Sequence, residues 1–161
     1  MEYTYVPLSA PPGSGKQVGT ALVRHRQAIA LLALAGLSIA LYLWLHKIGV
    51  IGDLQCGTGD CEYVQTSPYG ALFGVPVAFY GVVGYALILA VALAGLQPAS
   101  LGRRWPTRLL AVLAVGGFLF TLYLTYIELF VLHAICRWCV GSGVVITAIT
   151  IVAGSAVRRA S

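Results

Sequence analysis

Four cysteines, Cys56, Cys61, Cys136 and Cys139, are the residues of this 161-residue sequence best suited to covalent chemistry. They fall into two close pairs. Cys56 and Cys61 lie in QCGTGDCE, a polar stretch made bendable by Gly57 and Gly59. Cys136 and Cys139 have C-x-x-C spacing in HAICRWCVGSG, at the mouth of an apolar run. Four cysteines allow three connectivities. The spacing favours 56–61 and 136–139, because each closes a small ring. Small rings gain little from loop-closure entropy, which argues against structural staples and for thiol–disulfide exchange, in which two electrons move through mixed disulfides. A C-x4-C loop together with a CxxC at a membrane edge makes a poor closed zinc cage, so no metal is expected.

The rest of the chain must position these pairs. Hydrophobic residues make up 59% of it and charged residues 9%, against about 25% charged in an average globular domain. So short a chain could not hide that much apolar surface from water, and lipid is the expected solvent. Four apolar runs, near 28–45, 72–96, 109–132 and 134–157, each approach the roughly 20 residues of a spanning helix. The expected fold is an all-α integral membrane protein, a four-transmembrane-helix bundle over residues 23–161. An outer loop at 46–71 carries the first cysteine pair, and a flexible cytoplasmic tail at 1–22 precedes the bundle. Lys16, Arg24, Arg26, Arg103, Arg104, Arg108, Arg158 and Arg159 are eight of the ten basic residues and fall on one side of this arrangement. The positive-inside rule then places both termini in the cytoplasm of a cell inner (plasma) membrane protein, with all four cysteines on the outer side, where disulfides are permitted. The basic residues form no stripe and no nucleic-acid motif, so no nucleic-acid partner is expected. The frequent glycines, including Gly70, Gly74, Gly81, Gly84, Gly116, Gly117, Gly141 and Gly143, suit close helix packing.

This placement gives the two pairs different tasks. The Cys56–Cys61 loop is accessible to a soluble dithiol. Cys136 and Cys139 stand at i and i+3 on one helical face. Cys136 is near the helix N-terminus, where the dipole favours a thiolate, and Cys139 is one turn deeper. A relay follows: a partner reduces the loop pair, a loop thiolate attacks the CxxC disulfide, and Cys139 meets an acceptor reached from the lipid, for which a quinone is the physical choice. Glu128, an ionisable residue at membrane depth, is a candidate for a quinone carbonyl or its proton; the alternative is an interfacial acid paired with Arg137 or Lys47. One of Tyr123 and Tyr126 is expected to line the pocket. Of Phe73, Val77, Phe79 and Tyr80, read as the start of the second helix, some are expected to supply apolar walls; the alternative is helix packing or lipid contact. His133 is read as an interfacial cap or a proton acceptor.

Cys56-x4-Cys61, Ser67, LFGVPVAFYG at 72–81 and LYLTYIELFVLHAICRWC at 122–139, in that order, resemble the vitamin K epoxide reductase family, specifically its bacterial homologues, over about residues 25–157. The order separates the chain from the DsbB family, whose CxxC comes first. The resemblance implies four helices around a quinone (menaquinone or ubiquinone), Cys136 and Cys139 as the active pair with Cys139 beside the quinone, and Cys56 and Cys61 as a shuttle pair. Cys56 would exchange with a separate thioredoxin-like (DsbA-like) partner, Cys61 would pass electrons to Cys136, and Ser67 would have a pocket role, the alternative being a cap or brace of the segment that carries Cys61. The implied activity is disulfide formation with a quinone as acceptor. The alternatives are reduction of vitamin K quinone or epoxide by a dithiol donor, and a non-catalytic membrane module with structural disulfides. Animal enzymes of the family hold the quinone carbonyls with an Asn and a Tyr, and the aligned positions here are Gly70 and Gly143.

Overall fold

The computed structural model describes the backbone of residues 14–100 and 103–160, and the side chains of 20–100 and 103–159. The order is α1 (Ser14–Lys47), a short α2 (Cys61–Thr66), a 3-10 turn at Pro68–Gly70, the strands β1 (Ala71–Leu72) and β2 (Val75–Pro76), α3 (Val77–Leu96), a 3-10 turn at Pro98–Ser100, α4 (Trp105–Tyr126), a π-helical turn (Ile127–Leu132) and α5 (Arg137–Ala160). Four of these segments are long and apolar enough to cross a membrane: Thr20–Lys47, Val77–Leu96, Trp105–Leu132 and Arg137–Arg159. The expected all-α membrane bundle is therefore observed.

Element ends follow local chemistry. Gly49, at φ +77°, takes the left-handed turn just beyond α1, a conformation that glycine adopts without Cβ strain. Gln97, held extended before Pro98, stops α3, as the residue before a proline tends to. Pro106 sits in the first turn of α4, where its missing N–H costs nothing. Three boundaries differ from the apolar runs. Helix α1 begins at Ser14, so residues 14–22 of the expected tail are helical, while residues 1–13 lie outside the described residues. The apolar run from Leu72 becomes a hairpin before α3 starts at Val77, because Phe73 and Gly74 both adopt positive φ (52° and 78°). This two-residue turn pairs Ala71 with Pro76 and Leu72 with Val75. The fourth helix starts at Arg137, three residues later than its apolar run.

The spanning helices form a ring in which α1 packs on α3 and α5, and α4 packs on α3 and α5. Lipid removes the usual hydrophobic drive between helices, so close van der Waals contact through small residues has to hold them. Ala33, Ala92, Ala114 and Ala153 are almost fully buried among Ile29, Ile88, Leu110 and Ile149. Gly36 receives the ring of Tyr85 so closely that a Cβ there would overlap it. Of the glycines expected to pack closely, Gly70, Gly81, Gly117 and Gly143 do, whereas Gly74, Gly84 and Gly116 face open space. At the basic end, Arg26 is 3% exposed and joins three elements. Its guanidinium donates to the carbonyls of Gly95, Ser100 and Arg103 and to Thr107 Oγ1, satisfying acceptors that the end of α3 leaves free.

Candidate redox site at the head of the bundle

All four cysteines lie at one end of the bundle. Cys56 and Cys61 form a disulfide with a Cα–Cα distance of 6.1 Å, and Cys136 and Cys139 are free thiols. Three hydrogen bonds dock the Cys56–Cys61 loop on the segment that carries the CxxC. Trp138 Nε1 donates to Gln55 O (3.2 Å), Arg137 Nη1 to Thr58 Oγ1 (3.4 Å) and Asp60 N to Ile135 O (3.2 Å). Gly59, at φ +135°, sits so near Ile135 O that a Cβ would stand 3.1 Å from it, so a side chain there would lift the loop. Tyr42 completes the seam, its ring 5.0 Å from that of Trp138 and its hydroxyl accepting from Gln55 N at 3.0 Å.

Docking sorts the cysteines by access. Cys61 and Cys136 are fully buried in one apolar cluster with Val64 and Ala134, and Cys56 and Cys139 are only partly buried at its edges. Cys56 is thus the more accessible sulfur of the loop pair, and Cys61 faces inward. Cys139 N donates to Cys136 Sγ at 3.3 Å, and the two Sγ atoms are 2.7 Å apart. The hydrogen bond from Cys139 Sγ holds the Cys136 thiol below its ordinary pKa, against the opposing effect of burial. A thiolate is the attacking form in exchange.

A cavity of about 400 Å³ begins at Cys139 and runs down between the helices. Its walls include Leu43, Val77, Ile88, Leu113, Phe120 and Ile146. Three lining residues counted as exposed, Val112, Gly116 and Thr125, lie on α4, so the mouth opens on that side, toward lipid. Polar groups collect at the cysteine end, where Gln65 and Glu128 join Cys139. The apolar wall with a few convergent polar groups suits a planar, lipid-soluble ligand with carbonyl oxygens, such as a quinone.

The π-helical turn explains how Glu128 is aimed. His133, left-handed at φ 52°, ends the turn, and both its N–H and that of Ala134 reach Glu128 O. The side chain is 7% exposed, and its Oε2 accepts from Cys136 N at 3.3 Å. Its suggested partners Arg137 and Lys47 are engaged elsewhere, Arg137 with Thr58 and Lys47 Nζ with Gln65 O at 2.6 Å.

Of the other sequence-derived site residues, Val77 and Tyr80 line the cavity, and Tyr80 OH also anchors the hairpin by donating to Leu72 O at 3.1 Å. Five do not reach it. Tyr123 and Tyr126 are 51% and 58% exposed, because the cavity is lined by Leu113, Gly117, Phe120 and Leu124 of α4 and Glu128 of the π-helical turn, with Val112, Gly116 and Thr125 at the mouth, a helical face that leaves both tyrosines outside. Phe73 is 93% exposed at the hairpin tip rather than in the first turn of a helix. Ser67 Oγ donates to Val64 O at 2.7 Å, closing the end of α2. Phe79 packs on Trp44 of α1, with ring centroids 5.4 Å apart.

The residue that the sequence reading missed is Gln65. It is 6% exposed, and its Nε2 points at Cys139 Sγ from 3.7 Å. The available signal was its position four residues after Cys61, which shares a face with Cys61 only once α2 is recognised as a helix. Gly70 belongs to the same assembly: a Cβ there would collide with Gln65 O. A Cβ at Gly143 would stand 3.3 Å from Thr121 Cγ2.

A family model described as the Vitamin K epoxide reductase family matches residues 27–153, a span that holds α3 and α4 whole, most of the first and last spanning helices, both cysteine pairs and the cavity. With that match across most of its length, the chain belongs to the vitamin K epoxide reductase family, whose members are membrane thiol–disulfide oxidoreductases with quinones as electron partners.

Proposed function

We propose that the protein forms disulfides, oxidising a separate thioredoxin-like, DsbA-like partner and delivering the electrons to a quinone. The observation that carries this reading is the sorting of the two pairs: Cys61 and Cys136 share one buried cluster, while Cys139 alone of the four lines the cavity. A partner thiolate attacks Cys56 and releases Cys61 as a thiolate, and the partner's second thiol then releases Cys56, leaving the partner as a disulfide. Cys61 attacks Cys136 of an oxidised Cys136–Cys139 pair and releases Cys139. The freed Cys56 resolves that mixed disulfide, which regenerates Cys56–Cys61 and leaves Cys136 and Cys139 reduced, the arrangement in the structure. A bound quinone supplies a two-electron acceptor that takes up two protons, and the electrons leave through Cys139.

The residues fit such an acceptor. Gln65 Nε2 can donate to a carbonyl oxygen, and Glu128, between the CxxC and the cavity, can hold a proton for transfer. These two polar groups take the place of the side chains that Gly70 and Gly143 lack. In this reading the cysteine end faces the outside of the cell membrane and the Arg103/Arg104/Arg108 end the cytoplasm, an orientation supported by the charge asymmetry.

The test is reconstitution. The full chain, a reduced thioredoxin-like protein and a short-chain menaquinone or ubiquinone are mixed, and quinol and partner disulfide are measured. The expected result is equal amounts of each. Quinone formed from vitamin K epoxide and a dithiol, without quinone-driven partner oxidation, would establish the opposite direction. No redox turnover of either kind would leave a non-catalytic module.

A further inference from the structure

Three metal-ligating side chains converge at the head of the cavity. Cys136 Sγ, Cys139 Sγ and a carboxylate oxygen of Glu128 all lie within 4.8 Å of one another. Glu128 and Cys136 are buried. Among the described residues no basic group pairs with Glu128, since Lys47 and Arg137 are hydrogen-bonded elsewhere. A buried carboxylate without a counter-charge must either stay protonated or acquire a cation.

We propose that the reduced Cys136/Cys139 pair and Glu128 form a binding site for one thiophilic divalent cation, Zn²⁺ or Cd²⁺. Two sulfurs and one oxygen are the ligand set of a three-protein-ligand site with an open fourth position, and the sulfurs select soft ions over Mg²⁺ or Ca²⁺. This is distinct from a closed four-cysteine cage. Supporting hydrogen bonds are in place: Cys139 N–H points at Cys136 Sγ, and Cys136 N–H orients the Glu128 carboxylate, as outer groups around a metal site do. Two thiolates about 2.3 Å from a tetrahedral ion are about 3.8 Å apart. The sulfurs, at 2.7 Å, would therefore separate by about 1 Å, a side-chain rotation. Binding replaces two S–H protons by two S–metal bonds, together with the carboxyl proton if Glu128 is protonated. The protons leave to water and no electron moves. The oxidised pair has no thiolate to offer, so disulfide formation expels the ion. A bound ion in turn occupies both sulfurs and halts the relay, which makes the site a redox-gated brake. Binding of the ion requires only the dithiol form, while the braking rests on the proposed relay.

The test uses the full chain with Cys56 and Cys61 both changed to Ser, so that only one pair can bind. The protein is reduced by a phosphine and titrated with Co²⁺ and Cd²⁺. The expected result is a thiolate-to-metal charge-transfer band saturating at one ion per chain, absent once the pair is oxidised and shifted at least about tenfold to weaker binding in Glu128→Gln. A thermal measurement needs no Glu128 variant: Cd²⁺ should raise the midpoint of the reduced protein and leave the oxidised one unchanged. Absence of the band, or a band of equal affinity in a folded Glu128→Gln protein, would overturn the site. Neither readout involves quinone or partner, so a negative result here leaves the proposed electron relay standing.

Discussion

Gln65 and Cys139, 74 residues apart in the chain, meet in space with Gln65 Nε2 3.7 Å from Cys139 Sγ. The contact ties α2 of the shuttle loop to the first turn of α5, and it puts an amide donor beside the sulfur that faces the cavity. Lys47 Nζ on Gln65 O and the absence of a side chain at Gly70 hold the backbone of Gln65 in that place.

Gln65→Leu keeps the volume and removes the donor. One hydrogen bond to a bound carbonyl is worth about 1–1.5 kcal/mol, so the KM for quinone should rise about tenfold while partner oxidation by a pre-oxidised CxxC proceeds at the normal rate. Steady-state quinol formation at saturating partner separates the two. An unchanged KM would remove Gln65 from the quinone site.

The relay predicts different fates for single cysteine variants. Cys61→Ala and Cys136→Ala should each abolish partner-driven turnover. Cys139→Ala leaves Cys136 without its CxxC partner, so the Cys136 thiolate should attack Cys61 of the loop disulfide and release Cys56, giving a Cys61–Cys136 mixed disulfide visible on non-reducing gels after proteolysis between the pairs. Full turnover in both Cys61→Ala and Cys136→Ala would reverse the proposed order.

Gly84 and Gly116 line the cavity, and a Cβ at either meets nothing within 4 Å. Gly116→Leu should therefore fill the cavity without straining the bundle. Helix propensity alone makes the substitution favourable by about 1 kcal/mol. Quinone reduction should fall at least about tenfold while the thermal midpoint holds or rises. Turnover unaffected by the added leucine would place the acceptor elsewhere.

Tyr126 and Phe73 bear on the same geometry from outside. Tyr126→Phe and Phe73→Ala should each leave quinol formation within about twofold of the parent, as substitutions remote from a site do. A tenfold loss in Tyr126→Phe would show that α4 rotates during turnover.

At the opposite end, Arg26→Met should cost about 3 kcal/mol of stability, because the carbonyls of Gly95, Ser100 and Arg103 lose a buried charged donor. Denaturant unfolding in detergent measures it. The change lies at the far end of the bundle from the cysteines, so residual folded protein should keep its KM for quinone.

Much of the architecture was legible in the linear order of residues. Long apolar runs can satisfy their backbone in lipid only as helices, and the two cysteine spacings announce exchange chemistry wherever the chain takes them. Local patterns also located Glu128, Val77 and Tyr80. What only the tertiary structure decided is which atoms face one another. The positive φ at Phe73 turned an apparent first helical turn into a hairpin and sent its aromatic ring outward. The π-helical turn at Ile127–Leu132 and the three hydrogen bonds that join Gln55, Thr58 and Asp60 to the CxxC segment brought Glu128 and Gln65 to the same sulfur. Spacing along one helix determines which residues share a face. The direction of that face, and what arrives opposite it, depends on packing between segments many residues apart, which is why Tyr123 and Tyr126 could be proposed for the pocket and Gln65 overlooked.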